Sequence, residues 1–171
     1  MANPLSPTRE RIRSEAYDLL AQCGIAGLSM RALADRLHIR AASLYKHVRD
    51  KDEILADLQA RGLAELAAAI GAAGPWPPAA AQAYRSWARA NPHLYEVCMR
   101  RPLLRERLPA GLEREVTAMI IGLTGRDHEH ARAVWGLVHG LVDLELAGRF
   151  PDDADLDTTW RRAIAMLRAP A

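Results

Sequence analysis

Arg31, Arg36, Arg40, Lys46, Arg49 and Lys51 fall between Ser29 and Lys51, where only Asp35 and Asp50 oppose them and His38 and His47 add two imidazoles. Guanidinium and ammonium groups bind phosphate oxygens, and an arginine fork can also span the N7 and O6 of guanine. Ser29, Ser43 and Tyr45 supply hydroxyls that can donate to the same oxygens. The chemistry this stretch offers is recognition of a polyanion, with one helix crossing the backbone and the next reading bases in a major groove.

Two short apolar patterns position these groups. Met30, Leu33, Ala34 and Leu37 repeat at helical spacing, as do Ala41, Leu44 and Val48, and Leu37-His38-Ile39 between them is too short for a linker. Ser29 is the expected cap of the first of the pair. Upstream, Ser6 and Pro7 open a helix through Ile12, Ala16, Leu19, Leu20 and Cys23, and Gly24 ends it in a conformation that other residues avoid. Downstream, Asp50 and Glu53 form a capping box for a long helix through Ile54, Leu55, Leu58, Leu66 and Ile70. Gly71 to Pro78 breaks that helix.

Helical spacing then returns with Ala80, Ala83, Tyr84 and Trp87, and Asn91-Pro92 opens a further helix over His93 to Arg100. Pro102 and Pro109 punctuate a basic, irregular segment. Leu112, Val116, Met119, Ile120 and Leu123 form a helix closed by Gly125, Asp127 starts one running to Gly148, and Leu156, Trp160, Ile164 and Leu167 mark the last. β-branched residues are few and nowhere alternate, so no strand is expected. No period repeats.

The chain has 171 residues, half of them hydrophobic, enough for one or two small domains with a substantial core. The absence of an 18-residue apolar run argues against a membrane partner, and Met1 to Pro7 lacks the apolar centre of a signal peptide, so a cytoplasmic location is expected. The net charge of +2 is small. It lies in the N-terminal part, where residues 1 to 61 hold ten Lys or Arg against eight Asp or Glu, while residues 62 to 171 hold thirteen of each. Cys23 and Cys98 each sit in an apolar helical pattern and are expected as buried free thiols. No phosphate loop, nucleophile elbow or nucleophile with spaced His and acid occurs, which leaves an enzyme without residues for its roles.

Gly24 to Leu37, followed by Ser43-Leu44-Tyr45-Lys46-His47-Val48 and Lys51-Asp52-Glu53-Ile54-Leu55, resembles the N-terminal domain of tetracycline-repressor (TetR) type transcriptional regulators. The pattern spans roughly residues 8 to 58. Ala90-Asn91-Pro92-His93-Leu94-Tyr95 and Trp135-Gly136-Leu137-Val138-His139-Gly140-Leu141 are similar to the subgroup named for a Trp, His, Gly signature. The resemblance implies an all-α chain, with a helix-turn-helix DNA-binding domain over residues 1–50 and a helical effector-binding and dimerisation domain over 51–171. It implies a homodimer, a double-stranded DNA operator and a small-molecule effector, with no cofactor. Ser29, Ser43, Tyr45, His47 and Lys51 fall where the family contacts phosphates, and Arg31, Arg40, Ala41, Ala42 and Lys46 where bases or adjoining phosphates are reached. One departure stands out: His38 occupies a turn position where the family commonly has glycine, and positive φ is expected there.

For the C-terminal part, Tyr84, Trp87, Tyr95, Met99, Met119, Trp135 and His139 are candidates to line an apolar effector cavity. The helix after Asp127 is apolar most of the way round, so a second face is expected against a partner copy. Val134, Val138, Leu141, Trp160, Ile164 and Leu167 are the candidate dimer residues, forming a four-helix bundle across a two-fold axis. His139 with Asp143, and Asp127-His128-Glu129-His130, fall short of a complete metal set. The rival reading is a helical DNA-binding architectural or partner-recruiting protein with no effector pocket.

Overall fold

The computed structural model describes residues 7–74, 77–124 and 127–166. Ser6, Gly125 and Leu167, expected to serve as a cap, a stop and a dimer contact, lie outside the described residues. Among the described residues the regular elements are all helical: α1 (Pro7–Gly27), α2 (Met30–Arg36), α3 (Ala41–Leu44), α4 (Lys51–Ala72), α5 (Pro77–Ala90), α6 (Pro92–Met99), α7 (Leu112–Thr124), α8 (His128–Leu146) and α9 (Leu156–Met166), with one 3-10 turn at Arg105–Arg107. Among the described residues no helix is long and apolar enough to cross a membrane.

The ends of these helices follow from local chemistry. Gly24 breaks α1 at φ 64° and ψ −174°, a region open essentially to glycine alone. A Cβ there would also lie 3.1 Å from the His93 ring. Ser29 Oγ accepts from Ala32 N at 3.1 Å, and Asp127 Oδ1 from His130 N at 2.8 Å. At α4, Asp50 Oδ1 accepts from Glu53 N at 2.9 Å, while Glu53 Oε2 reaches back to the Arg49 amide at 2.8 Å, one residue earlier than a standard box. Gly148 closes α8 in a Schellman arrangement at φ 60°, with Arg149 N donating to Leu144 O and Gly148 N to Glu145 O. His38 closes α2 in the same way at φ 55°, with Ile39 N donating to Ala34 O and His38 N to Asp35 O.

The chain packs as two interleaved compact units, one of residues 1–63 with 93–112 and one of 64–92 with 113–171. The sequence boundary at residues 50 and 51 lies inside the first unit, to which residues 93–112 return after α5. Ile12, Leu20, Leu28, Leu33, Leu44, Val48 and Ile54 form the first core, each 2 % exposed or less. Gln59, 1 % exposed, is fully engaged within it: Nε2 donates to Val97 O and Pro102 O, and Oε1 accepts from Leu104 N, all at 3.0 Å. Gly62 permits the close approach of α6, since a Cβ there would lie 2.4 Å from Cys98 Sγ.

In the second unit α5 packs on α8 and α9. Buried Arg85 joins all three, forking onto Glu145 at 2.8 and 3.0 Å and reaching Asp157 at 2.6 Å. Trp160 Nε1 donates to the same Glu145 at 3.0 Å. Cys98 is buried, but Cys23 is exposed, correcting the expectation of two buried thiols: it continues the stripe of Ile12, Leu19 and Leu20 but falls in the last turn before Gly24, where Ala21 and Gln22 are exposed as well.

Candidate nucleic-acid interface

The helix-turn-helix is built by α2 and α3 held against α1. Leu33, Leu37, Leu44 and Val48 are buried, which turns the intervening polar positions outward. Ser29, Arg31, Arg40, Ala41, Ala42, Tyr45, Lys46 and His47 are exposed, Tyr45 by 52 %, while Ser43 and Lys51 are half-buried. All ten residues therefore share the surface of one compact unit. The second helix of the pair is short. Regular α3 ends at Leu44, and the backbone turns on through Lys46 N to Ser43 O at 3.3 Å and His47 N to Leu44 O at 2.9 Å.

Not every cation here is available for recognition. Arg36 donates to Glu15 at 3.1 Å and to Gln22 at 2.7 Å, fastening α2 to α1. Arg9 pairs with Glu53 and Arg13 with Asp57, fastening α1 to α4. Arg61 lies over the Tyr17 ring, 3.3 Å from its centroid. Burial pushes Glu53 up, but hydrogen bonds from the Arg49 amide and guanidinium and the charges of Arg9 and Arg49 outweigh it, leaving Glu53 below the usual glutamate value. Asp50 is likewise lowered, chiefly by its hydrogen bond from Arg107. The roles of Gln59, Arg107 and the α1 to α4 ion pairs were invisible to spacing rules because each joins residues 38 or more positions apart.

The candidate effector residues divide between the units. Tyr84, Trp87, Met119, Trp135 and His139 belong to the second, and Tyr95 and Met99 to the first. Tyr84 Oη and His139 Nδ1 are 3.2 Å apart, and the Trp135 ring stacks on His139 with centroids 5.3 Å apart. Trp87 is buried, and its indole Nε1 has no hydrogen-bond partner among the described residues. Tyr95 is fully buried, and Met99 and Met119 are half-buried. A groove of about 490 Å³ in the second unit is lined instead by Pro78, Gln82, Asp157, Trp160, Arg161, Ile164 and Ala165, none of them a candidate effector residue. It eluded sequence reasoning because α5 and α9 are far apart in the chain.

Of the candidate dimer residues, Val138, Trp160 and Ile164 are largely buried within one chain. Val134 and Leu141 are half-buried. The large apolar side chains most exposed on α8 and α9 are Trp135, Leu144 and Met166. No group of three His, Cys, Asp or Glu residues positioned to hold a metal occurs among the described residues.

Residues 12–58 match the family described as bacterial regulatory proteins, tetR family, and residues 78–167 match the tetracyclin repressor-like C-terminal domain. The C-terminal match does not carry the Trp, His, Gly subgroup name. An HTH-type transcriptional regulator of Mycobacterium tuberculosis is 28% identical over 183 aligned residues, covering 99% of this chain and 84% of the relative. One from Saccharopolyspora erythraea is 52% identical over 48 residues, 28% of this chain and 20% of the relative. Among solved structures, regulatory protein SCO4313 aligns with a TM-score of 0.78 at 24% identity, over 95% of this chain and 96% of that one. Multidrug binding protein EbrR, complexed with imidazole, aligns with a TM-score of 0.68 at 25% identity, over the same shares. With an outward-facing helix-turn-helix and matches across both parts, the chain belongs to the TetR family and is a DNA-binding transcriptional regulator, not an enzyme.

Proposed function

We propose that this regulator is a homodimeric repressor that leaves a palindromic operator when a small molecule binds its C-terminal part. Arg31, Arg40 and Lys46 choose bases, Ala41 and Ala42 offer contact to thymine methyls, and Ser29, Ser43, Tyr45, His47 and Lys51 hold phosphates. Two reading heads about 34 to 36 Å apart match half-sites one helical turn apart.

The observation that carries the effector is the buried indole N–H of Trp87, which lacks an acceptor among the described residues. A buried donor left unpaired costs about 1 to 3 kcal/mol, which a ligand acceptor would recover. The neighbouring aromatic chemistry of Tyr84, Trp135 and His139 suits a flat, largely apolar molecule, and the likeness to a multidrug binding protein supports the same class. Release requires the ligand to prefer the conformation that misfits DNA, since equal affinity for both states shifts nothing.

The test is selection of bound fragments from the source genome, followed by titration of the selected duplex. Arg31→Ala is expected to weaken it at least tenfold, and Tyr45→Phe several-fold. Unchanged affinity in both variants would remove the assigned reading surface. A compound that raises the melting temperature should release the duplex, and Trp87→Phe, which deletes the N–H and keeps a ring, should weaken that release. A C-terminal core that binds no compound would instead support an architectural protein.

A further inference from the structure

Asp50 lies where a negative charge is least welcome in a DNA-binding head. It stands between Arg49 and Lys51 at the start of α4, and its side chain is 46% exposed. Its Oδ1 must accept from Glu53 N, at 2.9 Å, to start the helix. That same oxygen accepts from Arg107 Nη1 at 2.5 Å, from 57 residues away.

Arg107 is held there by a dedicated support. It ends the 3-10 turn Arg105–Arg107, closed by Arg107 N donating to Leu104 O at 2.8 Å. Leu104 N in turn donates to Gln59 Oε1 at 3.0 Å, and the Gln59 amide holds Val97 O and Pro102 O. A buried side chain of α4 thus fixes the segment that returns a cation to the start of α4. Asp52 and Glu53 also face the guanidinium, and Arg49 faces Asp50, yet Glu53 is already engaged by Arg9 and Arg49.

From this geometry we infer that Arg107 is a positioning and charge-masking residue of the DNA-binding surface. It neutralises the capping carboxylate of Asp50, so that the Arg49 to Lys51 edge meets phosphate without a bare negative charge. The inference rests on the reading surface proposed above. Arg107 need not touch DNA: a cap of the Asp type is required for the helix, and its charge is the part that harms binding.

Asparagine separates the two, because it caps a helix about as well as aspartate and carries no charge. The experiment titrates a duplex selected by the wild-type protein from random-sequence DNA, across a salt series, with thermal melts of every variant. Arg107→Ala is expected to weaken binding about tenfold at low salt and to reduce the salt slope by roughly one. Arg107→Lys should restore most of the loss, and the double variant Arg107→Ala with Asp50→Asn should return to near wild-type affinity and slope. Asp50→Asn alone should bind more tightly than wild type, a gain that a purely structural role could not produce and that remains readable if Arg107→Ala does not fold. A double variant as weak as Arg107→Ala, or an Asp50→Asn no tighter than wild type, overturns the inference. Binding that ignores Arg31→Ala but follows the Asp50 and Arg107 pattern would sink the assigned base-reading surface and leave this pairing standing.

Discussion

His38 and Gly148 close their helices with the same two hydrogen bonds, at φ 55° and 60°, but only one of them is glycine. A side chain in this region costs roughly 1 kcal/mol because its Cβ crowds the following carbonyl. His38→Gly should therefore stabilise the protein by about 1 kcal/mol, seen as a higher urea midpoint with an unchanged m-value. An unchanged or lower midpoint would mean that the exposed imidazole makes a compensating contact. This strain was legible through the family resemblance, because the family commonly has glycine at the turn position that His38 occupies. The exposure of Cys23 was not: it keeps the spacing of Ile12, Leu19 and Leu20, but spacing does not say how far along a helix its cover extends, and the turn of Ala21 to Cys23 is exposed.

At the scale of elements, caps and breaks are written locally and packing partners are not. Ser29, Asp50 and Asp127 cap their helices as their types and positions indicate, since a cap needs only a side-chain oxygen within three residues of an amide. That residues 93–112 pack in the same unit as α1 to α3 could not be read this way, because it depends on Gly62 admitting Cys98 and on Gln59 finding three backbone partners. The same holds for α5, α8 and α9, whose junction is the cluster of Arg85, Glu145, Asp157 and Trp160. Burial pushes Glu145 up, but hydrogen bonds from Arg85 and Trp160 and the charges of Arg85 and Arg89 prevail, so it sits below the ordinary 4.5. A carboxylate whose pKa is lower folded than unfolded adds stability above its unfolded value, and that stability is lost as pH falls through the folded one. Stability should thus decline below about pH 4.5 on account of this cluster. Glu145→Gln should cost about 3 kcal/mol at neutral pH by leaving Arg85 short of a charge, and should flatten the acid limb. Denaturant melts at pH 7 and at pH 4 measure both effects, and a variant as acid-sensitive as the wild type would assign the decline elsewhere.

For the whole molecule, the question is what covers the outward face of α8. The expectation of a helix buried on more than one side meets a protomer in which Ala131, Val138 and Val142 are the buried positions and Trp135 and Leu144 stand 40% and 45% exposed. Gly136 and Gly140, four residues apart and in register with Leu144, face space that a Cβ would enter without contact. Exposed leucine beside two glycines allows another helix to approach closely, and a two-fold axis would pair the face with its own copy. In the proposed homodimer operator affinity would depend on this face, because joining two heads makes the second half-site contact intramolecular. Leu144→Arg places a charge on the face at little cost to the protomer, since the side chain is already half in water. It should sediment as a monomer with a melting temperature reflecting only the lost association, and bind a full palindrome at least a hundredfold more weakly. A duplex carrying a single half-site should be bound as well by the variant as by the wild type, because each reading head is intact. Persistence of the dimer in Leu144→Arg would place the two-fold contact on another surface.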